Sequence, residues 1–275
     1  MKAELAASLC DALDVRPGML VGIVGAGGKT SLMYGLGREL AHEGHPALLT
    51  TTTRIWFPSG DQVREVVLGE ESDATVAEIR SRFERAGIVV AGRVKTDDGP
   101  GEKIAGFAPS FVETIGRGDS RWTVVAECDG AAGRSLKVPR QGEPPVAEST
   151  DLYVVMIGGD CFGAQILSRD VVFNPESVAA VAGVNSAAQV DSEVVVRSVA
   201  SEDSYLGRKP EGARCAVFIN KIGVEGYEQS GEDSERNRVT DAFATGLELK
   251  EVEGIERVVL GSLERGSGRA FLVFR

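Results

Sequence analysis

The stretch VGIVGAGGKTS, residues 21–31, decides the fold class of this chain. The apolar run from Met19 to Val24 predicts a buried strand, and a glycine-rich turn follows it. Lys29-Thr30 then opens an amphipathic helix. Glycines leave backbone N–H groups free to converge on phosphate oxygens because no side chain blocks the approach, and the helix adds the positive end of its dipole. The order of strand, glycine-rich turn and helix therefore predicts a phosphate-binding loop (P-loop) in an α/β fold.

The residue types in this loop match the groups of a magnesium–nucleoside triphosphate. Lys29 would place a positive charge on the terminal phosphates, and the Thr30 hydroxyl would bind Mg²⁺. We therefore expect Mg²⁺ and ATP, or GTP, as cofactors. The residues expected to contact the nucleotide in the loop are Gly25, Ala26, Gly27, Gly28, Lys29, Thr30 and Ser31.

The glycine spacing differs from the common pattern G-x-x-x-x-G-K-[ST], which requires glycine where this chain has Ile23. The spacing that fits is G-x-x-G-x-x-G-K-T, with Gly22, Gly25 and Gly28. It is one residue longer and resembles the phosphate loop of Mur-type amide ligases. Two alternatives are an ordinary strand-to-helix turn and a dinucleotide-binding turn. Lysine-threonine directly after the last glycine has no use in a dinucleotide site, which favours phosphate binding.

Composition narrows the function classes. The chain has 275 residues, 43% of them hydrophobic, and a formal net charge of −11. Such acidity argues against a broad nucleic-acid or anionic-membrane surface, and no apolar run is long enough to span a membrane. The first twelve residues lack the apolar core of a signal peptide. The four cysteines are scattered without a C-x-x-C pair, so we expect no disulfide framework or zinc site and a cytoplasmic location.

Alternating strand and helix patterns predict a P-loop NTPase-like fold: a mostly parallel sheet flanked by helices, with residues 1–275 forming a single domain. A helix is expected between Leu5 and Val15, and a hairpin or loop over Thr96–Gly106. The segment Asp191–Ala200 fits either a helix or a strand. In such sheets ligands bind beyond the carboxyl ends of the strands, where the polar clusters of this chain lie.

Two carboxylates follow the predicted strand Trp122–Ala126. Strand alternation places Glu127 and Asp129 on the same side, where a nucleotide hydrolase needs an acid to hold Mg²⁺ or orient water. A solvated Asp-Gly turn is the alternative, and the pattern leaves open which acid contacts the metal. Thr51, within the threonine run 50–53, is a further candidate for the Mg²⁺ shell. Threonine also simply suits strand ends.

Three other clusters follow predicted strands. Arg134 and Lys137 would neutralise a transferring phosphoryl group or hold an anionic substrate, unless they are ordinary exposed loop charges. Asn220-Lys221 is similar to the base-binding N-K-x-D signature of GTPases, and both residues are expected to contact the nucleotide. Gly223 replaces the aspartate of that signature, so GTP preference is unsupported. The thiols of Cys128 and Cys161 suggest chalcogen transfer, although a buried free cysteine is more often a small hydrophobe.

Several motifs in one order resemble the YqeC family, putative accessory proteins of selenium-dependent molybdenum hydroxylases. The resemblance covers roughly positions 20–225, and its most distinctive segment is ECDGAAGRSLKVP. The matching segments are VGAGGKTSLM (24–33), TTTRIWFP (51–58), GEKIAGF (101–107), ECDGAAGRSLKVP (127–139), EPPV (143–146), STDLYVVMIGGDCFG (149–163) and FINKIG (218–223).

This resemblance implies a role in maturing a selenium-containing molybdenum cofactor, with that cofactor or its hydroxylase as partner. One departure is that Phe173-Asn174-Pro175-Glu176 stands where His-Arg-Pro-Glu is expected. Lys29, Glu127, Asp129, Arg134 and Lys137 are the expected catalytic residues of a slow NTP hydrolase. Two alternatives remain: a Mur-like ATP-dependent ligase or small-molecule kinase, and a nucleotide-gated cofactor chaperone without turnover.

Overall fold

The structure is a computed structural model that describes residues 3–60, 62–83, 85–97, 101–118, 121–223, 233–264 and 270–275. Its main feature is a ten-stranded sheet with the strand order β1-β13-β12-β11-β10-β2-β9-β3-β6-β5. The strands of this sheet are β1 (Ala3–Ala6), β2 (Leu20–Gly25), β3 (Ala47–Thr51), β5 (Glu65–Leu68), β6 (Ile88–Gly92), β9 (Thr123–Glu127), β10 (Leu152–Gly158), β11 (Arg214–Asn220), β12 (Arg257–Leu260) and β13 (Phe271–Phe274).

The pairing is mostly parallel, as the sequence predicts. Among the described pairs of this sheet, the antiparallel ones are those that β13 makes with β1 and with β12. In the centre, β2 lies between β9 and β10, and Val21 is in register with Val125 and Leu152. The glycine-rich loop therefore leaves the sheet at its middle, where the carboxyl ends of neighbouring strands bring their following residues together.

Helices cover both faces of the sheet, and each face has its own apolar cluster. Leu32, Leu36 and Leu40 of the second helix are at most 1% exposed, as their helical spacing predicts, and each contributes about 1.5–3 kcal/mol of burial free energy. The helices are α1 (Leu9–Leu13), α2 (Lys29–His42), α3 (Asp73–Phe83), α4 (Pro109–Gly118), α5 (Pro175–Ala182), α6 (Ser192–Ala200) and α7 (Asp233–Leu249).

The expected N-terminal helix is replaced by a strand and a shorter helix. Residues Ala3–Ala6 pair with Phe271–Phe274, so a partner from the other end of the chain overrides the local pattern. Helix α1 begins only at Leu9. Its N-cap residue is Ser8, whose hydroxyl oxygen accepts a hydrogen bond from the Asp11 N–H at 3.1 Å. Segment 191–200, which fits two interpretations by sequence, is the helix α6.

A second, antiparallel sheet lies beside the main one. It has the order β4-β8-β7, with β4 at Arg54–Trp56, β7 at Val94–Asp97 and β8 at Glu102–Ala105. The last two strands form the hairpin expected between Thr96 and Gly106. Within the described residues, no helix is both long and apolar enough to cross a bilayer.

Candidate functional site

The loop after β2 has a conformation that only glycine tolerates. Gly25, Gly27 and Gly28 have φ values of 90°, 85° and 127°. A Cβ on Gly25 would lie 2.3 Å from the Met156 carbonyl oxygen, and one on Gly27 would lie 2.1 Å from the Gly158 nitrogen. The loop therefore packs its backbone directly against the end of β10, which accounts for the glycine spacing in the sequence.

The N–H groups of this loop fall into two sets. Those of Ala26 and Gly27 donate to the carbonyl oxygens of Met156 and Arg134, at 2.9 and 2.8 Å, and so fix the loop. Helix α2 begins directly afterwards, and its N-cap residue, Gly28, provides no side-chain acceptor. The first N–H groups of α2 and its dipole therefore point toward the space in front of the loop, which favours an anion there.

Lys29 is held at the centre of the loop. Its Nζ donates to the Gly25 carbonyl oxygen at 2.7 Å and lies 3.1 Å from Asp129 Oδ1 and 3.9 Å from Glu127 Oε1. The residue is only 5% exposed, and it lines the cavity described below. These distances bring Lys29 together with both of the carboxylates that follow the central strand β9.

Glu127 ends β9 and faces the cavity. The Thr30 hydroxyl donates to Glu127 Oε2 at 2.6 Å, so two oxygen ligands of the kind Mg²⁺ prefers lie side by side at the loop. Burial raises the pKa of Glu127 above its ordinary value, while the charge of Lys29 and the hydrogen bond from Thr30 oppose this increase. A cation beside this carboxylate would further favour its ionised form.

Asp129 lies behind the loop and is fully buried. Its Oδ2 accepts hydrogen bonds from the Gly25 N–H and the Tyr205 hydroxyl, both at 3.1 Å, and lies 3.3 Å from Lys137 Nζ. Its Oδ1 accepts no well-angled hydrogen bond, so its contact with Lys29 is an ion pair. Asp129 thus fixes the loop, whereas Glu127 is the acid that is placed to reach a metal in the cavity.

Lys137 lies with the buried carboxylates and not at the cavity surface. Its side chain is 0% exposed; Nζ donates to the Gly130 carbonyl oxygen at 2.7 Å and lies 2.8 Å from Glu143 Oε2. Burial raises the pKa of Glu143, but hydrogen bonds from Arg140 and Lys137 outweigh it and lower the pKa to about 2. The expectation that Lys137 grips a ligand therefore does not match its position.

Arg134 remains at the cavity, since it is partly exposed and lines it. Its guanidinium donates to the carbonyl oxygens of Ala132 and Arg169, which orient the side chain. Its own carbonyl oxygen accepts from the Gly27 N–H, so the basic loop and the glycine loop are directly joined. The structure thereby separates Arg134 and Lys137, which the sequence groups together.

Thr51 also differs from its expected position. Its hydroxyl donates to the Glu127 carbonyl oxygen at 2.7 Å and accepts from the Thr53 N–H at 3.0 Å, and the residue is fully buried. These bonds connect the ends of β3 and β9 and leave the Thr51 hydroxyl turned away from a metal. Thr53, two residues later, is the threonine of this run that lines the cavity.

The amide of Asn220 is occupied on both sides. Its Nδ2 donates to the Gly27 carbonyl oxygen at 2.7 Å, and its Oδ1 accepts from the Leu263 N–H at 3.0 Å. Asn220 therefore supports the loop with one hydrogen bond at each polar atom of its amide. Lys221 lines the cavity, and its Nζ donates to Ser135 Oγ and Asp160 Oδ2 at 3.0 and 2.7 Å.

A cavity of about 980 Å³ opens in front of the loop. It is bounded by the loop, by residues 130–134 and by the small sheet. Basic side chains outnumber carboxylates on its surface, although the whole chain is acidic. The charged residues lining it are Lys29, Arg54, Lys103, Arg134, Arg140 and Lys221, with Glu127 and Glu143 as the acids.

The side chains that could act as metal ligands determine how a metal ion would be bound here. Among the described residues, no group of three or more His, Cys, Asp or Glu side chains is placed to hold a metal ion. Thr30 and Glu127 provide two adjacent oxygens at the phosphate-binding loop, which suits an Mg²⁺ that keeps waters and phosphate oxygens as its other ligands. The residues present therefore fit a nucleotide-bound Mg²⁺.

The cysteines are packed in the core. Burial raises the pKa of Cys128 to about 12 and that of Cys161 further, so both thiols are protonated at neutral pH. A protonated, buried thiol is a poor nucleophile. In this conformation, both cysteines pack as small apolar residues.

Some residues of the site carry no sequence signal. Tyr205 reaches Asp129 from a segment 76 positions away, and Glu143 pairs with Lys137. Trp56 and Lys103 line the cavity from the small sheet, whose short strands are hard to recognise by pattern. For Glu143, the motif EPPV marks the segment but indicates no chemistry.

These features define a P-loop NTPase-like α/β protein with a glycine-rich loop and a basic cavity at the centre of its sheet. The chain belongs to the YqeC family, whose model, described as YqeC protein, matches residues 21–176. It is similar to the protein described as uncharacterized protein YqeC from Escherichia coli (strain K12), with 27% identity over 207 residues, 74% of this chain and 76% of that protein.

The solved structures include a distant match to the signal recognition particle receptor FtsY from Elizabethkingia anophelis. The sequence identity is 11%, the TM-score is 0.32, and the match covers 89% of this chain. This chain spans 59% of the length of that receptor chain.

Proposed function

We propose that this protein binds a magnesium–nucleoside triphosphate at Gly25–Ser31 and hydrolyses it or transfers its terminal phosphoryl group. The observation that carries this proposal is the position of Lys29, Thr30 and Glu127 around the open N-terminus of α2, at the bottom of a basic cavity. The triphosphate would lie against the first N–H groups of α2, with Lys29 beside its terminal phosphate.

Each residue then has a defined task. Lys29 exchanges its contact with the Gly25 carbonyl oxygen for phosphate oxygens, and Thr30 and Glu127 would hold the Mg²⁺. Bound Mg²⁺ supplies neutralisation of the charge that develops on the phosphoryl oxygens. Arg134 at the cavity wall is available to the same charge. Without a partner that adds further cations, turnover is expected to be slow.

ATP is the preferred nucleotide in this proposal. Gly223 stands where a guanine-reading aspartate would be needed, and Asn220 uses both atoms of its amide on the Gly27 carbonyl oxygen and the Leu263 N–H. A site without these base contacts discriminates weakly. We expect the affinities for ATP and GTP to differ by less than about tenfold, which corresponds to about 1.4 kcal/mol.

Family membership motivates the wider role. We assign the nucleotide step to the maturation of a selenium-containing molybdenum cofactor, with the cofactor or its hydroxylase as partner. Deleting the gene in its host and assaying a molybdenum hydroxylase for labile selenium tests this assignment. Unchanged selenium content would remove the maturation role and leave nucleotide binding intact.

A second candidate is an ATP-dependent ligase or small-molecule kinase. The size and basic lining of the cavity favour it, because an anionic substrate fits beside the terminal phosphate. Product analysis distinguishes the two activities. A ligase releases ADP only when both the acid and the amine substrate are present, whereas a hydrolase releases ADP without either of them. Nucleotide binding without any turnover would indicate a nucleotide-gated chaperone.

The direct test is calorimetric titration of Mg–ATP into the wild type and Lys29→Ala. Binding should be abolished in Lys29→Ala, because the terminal phosphates lose their only lysine in the loop. The matched control is Lys95→Ala, which removes a lysine of the small sheet that does not line the cavity. Circular dichroism checks that both variants fold; unchanged affinity in folded Lys29→Ala contradicts the proposal.

A further inference from the structure

The part of the cavity lining that comes from the small sheet contains an aromatic ring and a cation. Trp56 on β4 and Lys103 on β8 are register partners, and Lys103 Nζ lies 4.5 Å from the centre of the Trp56 ring. Both residues line the cavity, and Trp56 is 50% exposed. A cation over an indole face is oriented by the ring quadrupole, which holds the ammonium group at this wall.

This pair differs from a similar pair on the same sheet. Lys95 Nζ lies 4.9 Å from the Phe57 ring centre, but Lys95 also pairs with Glu102 and lies outside the cavity. Lys103 has no carboxylate partner among the residues that the structure describes. The cavity thus receives the lysine whose charge is not neutralised by the protein.

The wall is fastened to the main sheet. The Gly106 N–H donates to the Thr53 carbonyl oxygen at 2.8 Å, and the Arg93 N–H donates to the Ala105 carbonyl oxygen at the same distance. A Cβ on Gly106 would lie 2.0 Å from the Thr51 carbonyl oxygen, so this contact requires glycine. Trp56 and Lys103 are therefore held in place by backbone contacts that do not depend on a ligand.

A second aromatic side chain also lines this cavity. Phe173 lines it, with the Arg140 guanidinium carbon 5.5 Å and Lys137 Nζ 5.4 Å from its ring centre. The Phe173 N–H donates to the Leu136 carbonyl oxygen at 2.9 Å, which joins it to the basic loop. The cavity therefore has an aromatic face and a cation on each of two walls.

We propose that this part of the cavity binds a second ligand, a planar aromatic molecule that carries a negative charge. Its ring would lie against Trp56 and Phe173, and its anionic group would contact Lys103. Rings favour the aromatic faces, and the excess of basic residues in an otherwise acidic chain favours an anion. The inference rests on the proposed function and names the class of its second ligand.

The test uses the full chain saturated with Mg²⁺ and a non-hydrolysable ATP analogue. Two planar anions, flavin mononucleotide and pterin-6-carboxylate, are titrated while tryptophan fluorescence is followed. The chain has two tryptophans, and Trp122 is 3% exposed in the core, so a change on binding reports Trp56. Riboflavin and pterin provide the rings without the anionic group, and inorganic phosphate provides the anion without the ring.

We expect both planar anions to quench Trp56 and to bind at least about tenfold more tightly than riboflavin, pterin or phosphate. Lys103→Ala should weaken their binding by about tenfold, whereas Lys95→Ala, the matched control, should bind them like the wild type. Trp56→Leu should weaken their calorimetric affinity by a similar factor.

Three results would overturn the subsite: neither planar anion binds the saturated protein, Lys95→Ala weakens binding as much as Lys103→Ala, or the probes displace a fluorescent nucleotide from the loop. The nucleotide affinity of each variant is measured in parallel. Probe binding without any nucleotide binding would refute the proposed function alone, and nucleotide binding without probe binding would refute the subsite alone.

Discussion

The two sides of the phosphate loop satisfy their charges in different ways. Behind the loop, Asp129 and Lys137 are fully buried and bind each other, the loop and the residues around them. In front of it, Thr30 and Glu127 share a single hydrogen bond and line an open cavity. Two acids only two positions apart therefore lie in different environments: Asp129 binds the loop backbone, and Glu127 lines the cavity.

The largest effect on the unfolding free energy should come from removing a charge from the buried residues behind the loop. Asp129→Asn leaves Lys29 and Lys137 without their shared carboxylate, and losing one partner of a buried ion pair costs about 3–5 kcal/mol of unfolding free energy. Glu127→Gln should change it by less than about 1 kcal/mol, because the raised pKa of Glu127 means that its ionised form is disfavoured in the fold. Urea denaturation measures the unfolding free energy of both variants. Equal losses of unfolding free energy in the two variants would contradict this difference between the two acids.

A substitution on the cavity side should lower the turnover rate and have little effect on stability. Glu127→Gln is expected to lower turnover by at least about 10²-fold, a typical loss for a positioned catalytic carboxylate. The amide keeps the size of the side chain but cannot neutralise Mg²⁺. Steady-state phosphate release at saturating Mg–ATP provides the measurement, and full turnover in this variant would exclude Glu127 as the metal or base residue.

A third comparison concerns the loop backbone. Gly27 and Gly44 have similar φ values of 85° and 83°, but only a Cβ on Gly27 would meet an atom within 4 Å, the Gly158 nitrogen at 2.1 Å. Gly27→Ala should therefore lose about 1–3 kcal/mol more unfolding free energy than Gly44→Ala, the cost of overpacking beyond the shared backbone strain. The denaturation midpoints of the two variants provide the measurement. Equal losses of stability would show that the loop adjusts to a Cβ at position 27 without an energetic penalty.

The last comparison is a pH dependence of the stability. The pKa of Glu143 is about 2 in the fold and about 4.3 in an unfolded chain. Its contribution to stability is therefore complete above about pH 4.3 and is lost as the pH falls toward 2. The stability difference between the wild type and Glu143→Gln should shrink over this interval. A difference that stays constant from pH 5 to 2 would mean that Glu143 does not pair with Arg140 and Lys137 in solution.

Most of the fold could be predicted because its signals are local. The strand from Leu20, the glycine turn and the leucine spacing of α2 all lie within 25 residues. Strand β1 could not be predicted, because Ala3–Ala6 form a strand only through pairing with Phe271–Phe274. A local pattern holds no information about such a partner.

The sequence predicts which acids follow the central strand, but it does not predict what each of them contacts. Alternation puts Glu127 and Asp129 on one side, but β9 ends at Glu127, so the alternation stops before Asp129. Asp129 then turns behind the loop to meet Tyr205, a contact set by tertiary packing. Lys137 follows Asp129 into the interior for the same reason.

The most direct measurement is a crystal structure of the protein with Mn²⁺ and a non-hydrolysable ATP analogue. Anomalous scattering would locate the metal independently of the nucleotide. We expect triphosphate density against Gly27–Thr30 and a manganese peak beside Thr30 and Glu127. A metal bound at Asp129, or phosphates located away from the loop, would contradict this expectation.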